Sequence, residues 1–366
     1  MIINKVLFTA VLLLMVDWSF AEVEIRQTYI LSIKDQQNLR IAINNNQSIK
    51  QHFETIVKNA EEILLTSPQP LVVINYEGLL DTDSLRKQSE SCLKDMDRIA
   101  LLLFAYYGSG STKYRDHAIK YIIEWENTFL PTGNPINENK LEPLIHAYYV
   151  FRSFLSRDDC RGIDRWLLAM ARKEIKNENI PNNNWRSKQI KTVGTIGYIL
   201  NNQTFINFAK MHFRDYIDRA LFDDGSSSDL HHRDALSYHV SGLRPLLVYG
   251  LIVDYFEPDS DFKPFEYLGL QSGSVEKSMD FVVPYATGQK EYRQWRNSKV
   301  KLDRERADAG ITKYQPGTLY NPRASLEAFE MAWYFKKEYD IVLECLKEGG
   351  IEKPSWNFAL ISLMGT

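Results

Sequence analysis

The chain has 366 residues and a formal net charge of −3, with 44% hydrophobic, 25% charged and 12% aromatic residues. This composition excludes a disordered chain, and so small a net charge excludes a global field that would gather nucleic acid or another polyanion. An anionic ligand would have to be held by a local basic patch. Tyrosine (20) and tryptophan (7) are plentiful, and their faces pack cores and also lie against sugar rings.

Residues 1–21 read as an export signal: Lys5, an apolar run from Val6 to Val16, then Ser19-Phe20-Ala21 as a small-x-small cleavage site. The run is short for a bilayer span. The expectation is a protein of the periplasm or beyond, without lasting membrane insertion, whose residues 22–366 form one domain. Cys92, Cys160 and Cys345 have no CxxC spacing, so they support neither a zinc ribbon nor a redox motif and allow at most one internal disulfide.

Apolar residues recur at helical spacing from Lys34 to Leu65, predicting one long helix or two short ones, and Val72 to Ile74 reads as a short strand. Helices are then predicted over Ser84–Tyr107, Thr112–Phe129 behind the cap Ser111, Lys140–Phe154, Cys160–Lys176, Trp185–Leu200 and Gln203–Leu221. A longer one covers Leu230–Tyr255 with a kink at Pro245, and the last fall at Glu276–Val283 and Ala324–Lys347. Helix after helix with short turns and no fixed-period repeat predicts an all-α fold. Its antiparallel hairpins would form an (α/α) toroid, closed or partly closed, rather than a regular solenoid. Between the last two helices, Gly288 to Gly310 is dense in charge. It is either a solvated face or a basic wall for an anionic polymer, and Tyr292 and Trp295 favour the wall.

Two polar clusters sit at helix starts. One is Asn182-Asn183-Asn184-Trp185-Arg186-Ser187-Lys188 after Pro181, where a single asparagine would suffice as a cap. The other runs from Asp224 to Tyr249 and holds His231, His232, Arg233, Tyr238 and His239. On one continuous helix His231 and Tyr238 would share a face roughly 10 Å apart and bracket one sugar ring. His232 and His239 would make a second pair seven apart on a neighbouring face. The histidines lack the i, i+4 spacing of a helical zinc site, so no metal or other cofactor is expected.

Amides, histidine and tyrosine without a nucleophile motif suit β-elimination on a uronate. Such an enzyme must hydrogen-bond or neutralise the carboxylate beside the C5 proton, while a base takes that proton and an acid returns one to the leaving oxygen. Tyrosine can do both when both events occur on one face of the ring.

The pieces Pro131-Thr132-Gly133-Asn134-Pro135-Ile136-Asn137, Asn182-Asn183-Asn184-Trp185, Asp224-Gly225-Ser226 with His231 to His239, and Asn297-Ser298 with Asp303 to Gly310 together resemble the alginate lyase superfamily of polysaccharide lyases. The resemblance implies a helical toroid that cleaves uronate polymers by β-elimination. Asn183 matches the family's catalytic Asn, and Tyr238, in Ala235-Leu236-Ser237-Tyr238-His239, its Tyr. Asn184 stands where characterised members carry His, and His231 where they carry Arg. A branch of the superfamily is similar to this chain at both points, with Asn-Asn-Asn-Trp in place of the Asn-Asn-His motif. The implied site has Tyr238 as base and acid, with Asn183, Asn184 and His231 at the carboxylate. Trp185, Arg186, Arg233, His239, Tyr285, Lys290 and Arg306 are candidate contacts to the anionic polysaccharide, which would be mannuronate-rich alginate, glucuronan or another uronate polymer. Two rivals stay open: an inverting glycoside hydrolase pairing Asp229 or Asp234 with Glu138 at roughly 6.5 to 9.5 Å, and a non-catalytic glycan-binding protein.

Overall fold

The computed structural model describes residues 27–348 and 355–364, so the expected export signal lies outside the described residues. Its first helices are α1 (Ile33–Asn45), capped by a reciprocal Ser32–Asp35 box, and α2 (Gln47–Ile63). They are two helices because Asn46 is extended and turns its side chain back onto the N–H groups of Ser48 and Ile49. Then follow α3 (Ser84–Ser109), α4 (Thr112–Thr128), the short α5 (Pro135–Glu138), α6 (Glu142–Phe151), α7 (Arg157–Lys176), α8 (Asn184–Ile199) and α9 (Gln203–Ala220). The second half holds α10 (Ser228–Arg233), α11 (Leu236–Phe256), α12 (Val275–Ala286), α13 (Lys301–Asp308), α14 (Leu326–Phe335), α15 (Asp340–Glu348) and α16 (Trp356–Ile361).

The contacts between helices describe a ring. Helices α3, α6, α8, α11 and α14 follow one another around the inside, with α4, α7, α9 and α12 packed outside them. Closure comes from α16, which packs on both α14 and α2, with Trp356 stacked on Phe53 at 5.9 Å. Helix α11 is long and apolar enough to cross a membrane, but 78% of its apolar window is buried inside the protein, as an inner helix of such a ring must be. Gly194 lets α8 approach it, since a Cβ there would collide with the Tyr249 ring.

Three expectations need correction. Val72 to Ile74 forms no strand. The helix expected over Leu230–Tyr255 is two helices, α10 and α11, broken at Asp234, which adopts a left-handed conformation (φ 50°). His231 and Tyr238 therefore do not share a helix face, nor do His232 and His239. Finally, the two helices placed last are not the last: α13 stands between them, with a small antiparallel hairpin pairing Arg293 with Leu319 and Gln294 with Thr318, and α16 follows them.

The turn Asp224-Gly225-Ser226 depends on its glycine, which has φ 82° and would place a Cβ 2.5 Å from the Lys277 carbonyl. Gly225→Ala is expected to cost about 2 kcal/mol or more. A lowered urea midpoint at unchanged slope is the measurement; an unchanged midpoint would show that the turn can shift.

Candidate active site

Three asparagines open α8 and do different things. Asn182 donates from Nδ2 to Asp215 (3.2 Å), and its carbonyl accepts from Ser228 Oγ (3.0 Å). Asn183 is the extended N-cap, and its Oδ1 accepts the Trp185 N–H at 2.9 Å. Asn184 is buried; its N–H donates to Asp229 Oδ2 at 2.8 Å, while its own Oδ1 has no hydrogen-bond partner among the described residues. Ser228 and Asp229 both belong to α10, so two bonds fix α10 to the N-terminal end of α8. Burial pushes the Asp229 carboxyl up to about 6, against the pull of Arg233 and Lys188.

Half-buried Tyr238 lies in the first turn of α11. Nη1 of Arg306, from α13, donates to its hydroxyl at 3.1 Å and also to the Tyr314 hydroxyl at 3.1 Å. The Arg233 guanidinium lies 3.9 Å from the centre of the Tyr238 ring, and Trp295 meets the same ring edge-on at 5.6 Å. Arg233 is in turn held by an ion pair to buried Asp303, which also accepts from Ser298 Oγ at 2.8 Å. Burial pushes the Tyr314 phenol well above its ordinary value, so it remains a hydrogen-bond donor.

The break at Asp234 builds this cage. Its carboxylate accepts from the Tyr292 hydroxyl (2.8 Å) and the Asn297 N–H (2.9 Å), and its carbonyl accepts the Trp295 N–H (2.7 Å). Gln294 Oε1 accepts the Ser237 N–H at 2.8 Å, supplying a cap that the side chain of Ala235 cannot. Residues 292–297 are thereby laid across the start of α11 and deliver Trp295 to Tyr238. Trp295 itself has φ 69°, a strained value for a tryptophan, at the point where it meets that ring.

The other expected residues are dispersed. His231 is exposed; its ring stacks on Phe222 at 4.9 Å and its Nε2 bonds Ser226 Oγ at 3.0 Å. No hydrogen bond or ring contact joins it to Tyr238 among the described residues. Arg186 points into the protein, donating to the Ile180 carbonyl (2.9 Å) and to Gln189 (2.5 Å), so its guanidinium is spent on structure. Trp185 is half-buried in the first turn of α8. Tyr285 packs edge-on against Tyr292 at 5.6 Å, behind the Asp234 clamp, and Lys290 is exposed on the following loop.

His239 is interior: Nε2 donates to the Ser278 carbonyl (3.1 Å) and Nδ1 accepts from Ser227 Oγ (2.7 Å), a neutral ring with both nitrogens satisfied. It is not available to a ligand. Burial pushes its pKa down to about 4. Between about 6.5 and 4 the unfolded chain therefore binds a proton that the folded one refuses, so stability present above the unfolded value is lost as pH falls. Asp229 acts with the opposite sign, its contribution being lost as pH rises through about 6. The two are separated by difference: the wild type should lose more unfolding free energy on acidification than His239→Gln. The gap would approach about 1.4 kcal/mol per pH unit in urea titrations. Parallel curves would refute it.

The carboxylates of the hydrolase alternative are committed elsewhere. Glu138 is fully buried and accepts from Gly133 N–H (2.7 Å) and Thr132, Asp229 is buried against Asn184, and Asp234 holds the 292–297 segment. Among the described residues no three His, Cys, Asp or Glu gather as a metal site, and all three cysteines are free. Arg233 and Arg306 were legible as cations; Asp303, Tyr314 and the role of Trp295 were not. Asp303 was visible only as the first residue of the Asp303 to Gly310 piece, Trp295 only as an aromatic among charges, and Tyr314, beyond the charged stretch, gave no signal.

The sequence profile of the alginate lyase family matches residues 46–292. The chain belongs to the alginate lyase family. Its members are polysaccharide lyases, and the solved structures of similar fold agree. An alginate lyase from Bacteroides ovatus superposes with a TM-score of 0.66 at 14% identity, covering 93% of this chain and 100% of that one. Alginate lyase A1-III from Sphingomonas species A1 gives 0.53 at 13% identity over 80% and 94% of the two chains. A substituted form of A1-III complexed with a tetrasaccharide gives 0.57 at 14% identity, over 82% and 86%. No curated protein matched by sequence. At these identities the structures speak for the toroid, and the residues that act in this lyase have to be argued from its own site.

Proposed function

We propose that this lyase is exported and cleaves a uronate polymer of the alginate type by β-elimination, with Tyr238 as both base and acid. The observation that carries the reading is the half-buried Tyr238 hydroxyl, bonded to Arg306 at 3.1 Å with a second guanidinium over its ring. Positive charge stands next to the oxygen that must be negative once the phenol has given up its proton. The phenolate takes the C5 proton, the electron pair moves toward the carboxylate as an enolate, and the C4–O4 bond breaks. The phenol then returns a proton to O4. Both transfers use one atom, so they occur on one face of the ring.

The enolate is served by the start of α8, where Asn183 and Asn184 bring amide groups to the positive end of a helix dipole. His231 is left out of the set because Ser226 and Phe222 hold it. Alginate, polymannuronate, polyguluronate and glucuronan, each followed by the ultraviolet absorbance of the unsaturated product, test the reading. A rise with one of them supports it. New reducing ends without absorbance mean hydrolysis, and binding with neither means a glycan-binding protein.

A further inference from the structure

Tyr314 is a second phenol beside the Tyr238 oxygen, and the elimination itself does not use it. It closes a short 3₁₀ turn, Thr312–Tyr314, just after α13. Two bonds fix the chain that follows: Gln315 Nε2 donates to the Ala307 carbonyl on α13 (2.7 Å), and the Gly317 N–H donates to the Gln294 carbonyl (2.8 Å), next to Trp295. Trp295 packs on both tyrosines, its ring centre 5.6 Å from that of Tyr238 and 5.0 Å from that of Tyr314. Arg306 Nη1 donates to both hydroxyls at 3.1 Å, so each phenol keeps its own hydrogen for another partner. The two hydroxyls are close enough for charge on one to act on the other.

We propose that Tyr314 is a positioning residue for the base: as the Tyr238 oxygen becomes negative, the Tyr314 hydroxyl turns its hydrogen onto it, and the phenolate rests between a phenol donor and the Arg306 guanidinium. The inference rests on the lyase reading, with Tyr238 as base, and adds a residue to that site. Tyr238 takes the C5 proton only when ionised, so a partner that holds the phenolate enlarges the active fraction of the enzyme. No proton passes between the two phenols. A hydrogen bond to an ionised oxygen is about twice as strong as one between neutral groups, so the contact tightens as the charge appears. The groups around the pair decide which phenol ionises. Burial and the charge on Tyr238 push the Tyr314 phenol well above its ordinary value, with Asp303 adding to them and Arg306 opposing. Lys313, 5.6 Å from the centre of the Tyr314 ring, is paired with Asp81, and Arg233, over the Tyr238 ring, is paired with Asp303. Tyr314 therefore remains the donor and Tyr238 the acceptor.

The test is the pH profile of kcat for Tyr314→Phe, which removes one oxygen and leaves the ring against Trp295. The substrate is whichever of the four polymers yields unsaturated product. At neutral pH kcat should fall about tenfold with KM little changed. The loss should then shrink as pH rises, because the ascending limb of the profile moves up by about one pH unit. A packing defect would not recover in this way, so the profile decides even if the melting temperature falls. Wild-type kcat at every pH would overturn the inference, as would a loss of one size at every pH. A variant as inactive as Tyr238→Phe would also overturn it, since Tyr314 would then carry a proton itself. Failure of the lyase reading looks different: none of the four polymers yields product, or Tyr238→Phe keeps full turnover.

Discussion

Tyr238→Phe should lower the rate of unsaturated uronate formation by at least ~10²-fold, with the fold intact and KM little changed. The substitution removes one oxygen. The ring keeps its edge contact with Trp295 and its face contact with Arg233, so the local packing survives. Arg306 keeps its bond to Tyr314, and the positive charge that a uronate would meet is still present. What disappears is the atom that takes the C5 proton and returns one to O4, and no tightly placed substitute offers itself: His231 is bonded to Ser226, His239 is interior, and Asp229 is committed to Asn184. A loss in kcat without a matching rise in KM is the signature of a group used in the transition state alone. Initial rates at saturating polymer, read by absorbance, decide it. Near wild-type turnover in the variant would move the base elsewhere.

Much of the ring was legible because the long helices carry their own apolar period and several carry their own cap. Ser111 and Asn183 both mark helix starts within a residue of where they fall. The break at Asp234 was not legible, for a physical reason. The local sequence from Leu230 to Tyr255 reads as one helix, and the left-handed aspartate is held in place by Tyr292 and Asn297, some sixty residues later in the chain. Once that break is granted, the sequence spacing of His231 and Tyr238 carries no geometric meaning. In the same way Arg306 was legible only as a candidate contact to the polysaccharide, and what distinguishes it is its burial against Tyr238.

The second large effect belongs to Arg306. Arg306→Ala should reduce kcat by roughly 10² to 10³, the loss typical of removing a preorganised donor from a developing negative charge. A single nitrogen, Nη1, serves the hydroxyls of both Tyr238 and Tyr314 at 3.1 Å, so the guanidinium sets the position of the phenol as well as its charge environment. Arg306→Lys should fall between wild type and Ala, because an ammonium is a point charge that keeps the sign but not the planar fork. Arg233 cannot replace it: its guanidinium lies over the ring rather than beside the oxygen and is neutralised by Asp303. The two substitutions separate charge from position. If Lys restores wild-type turnover, charge alone is what Tyr238 needs; if Lys is as poor as Ala, geometry dominates; and if Ala itself retains full turnover, the phenol does not depend on Arg306 and the proposed base loses its principal support.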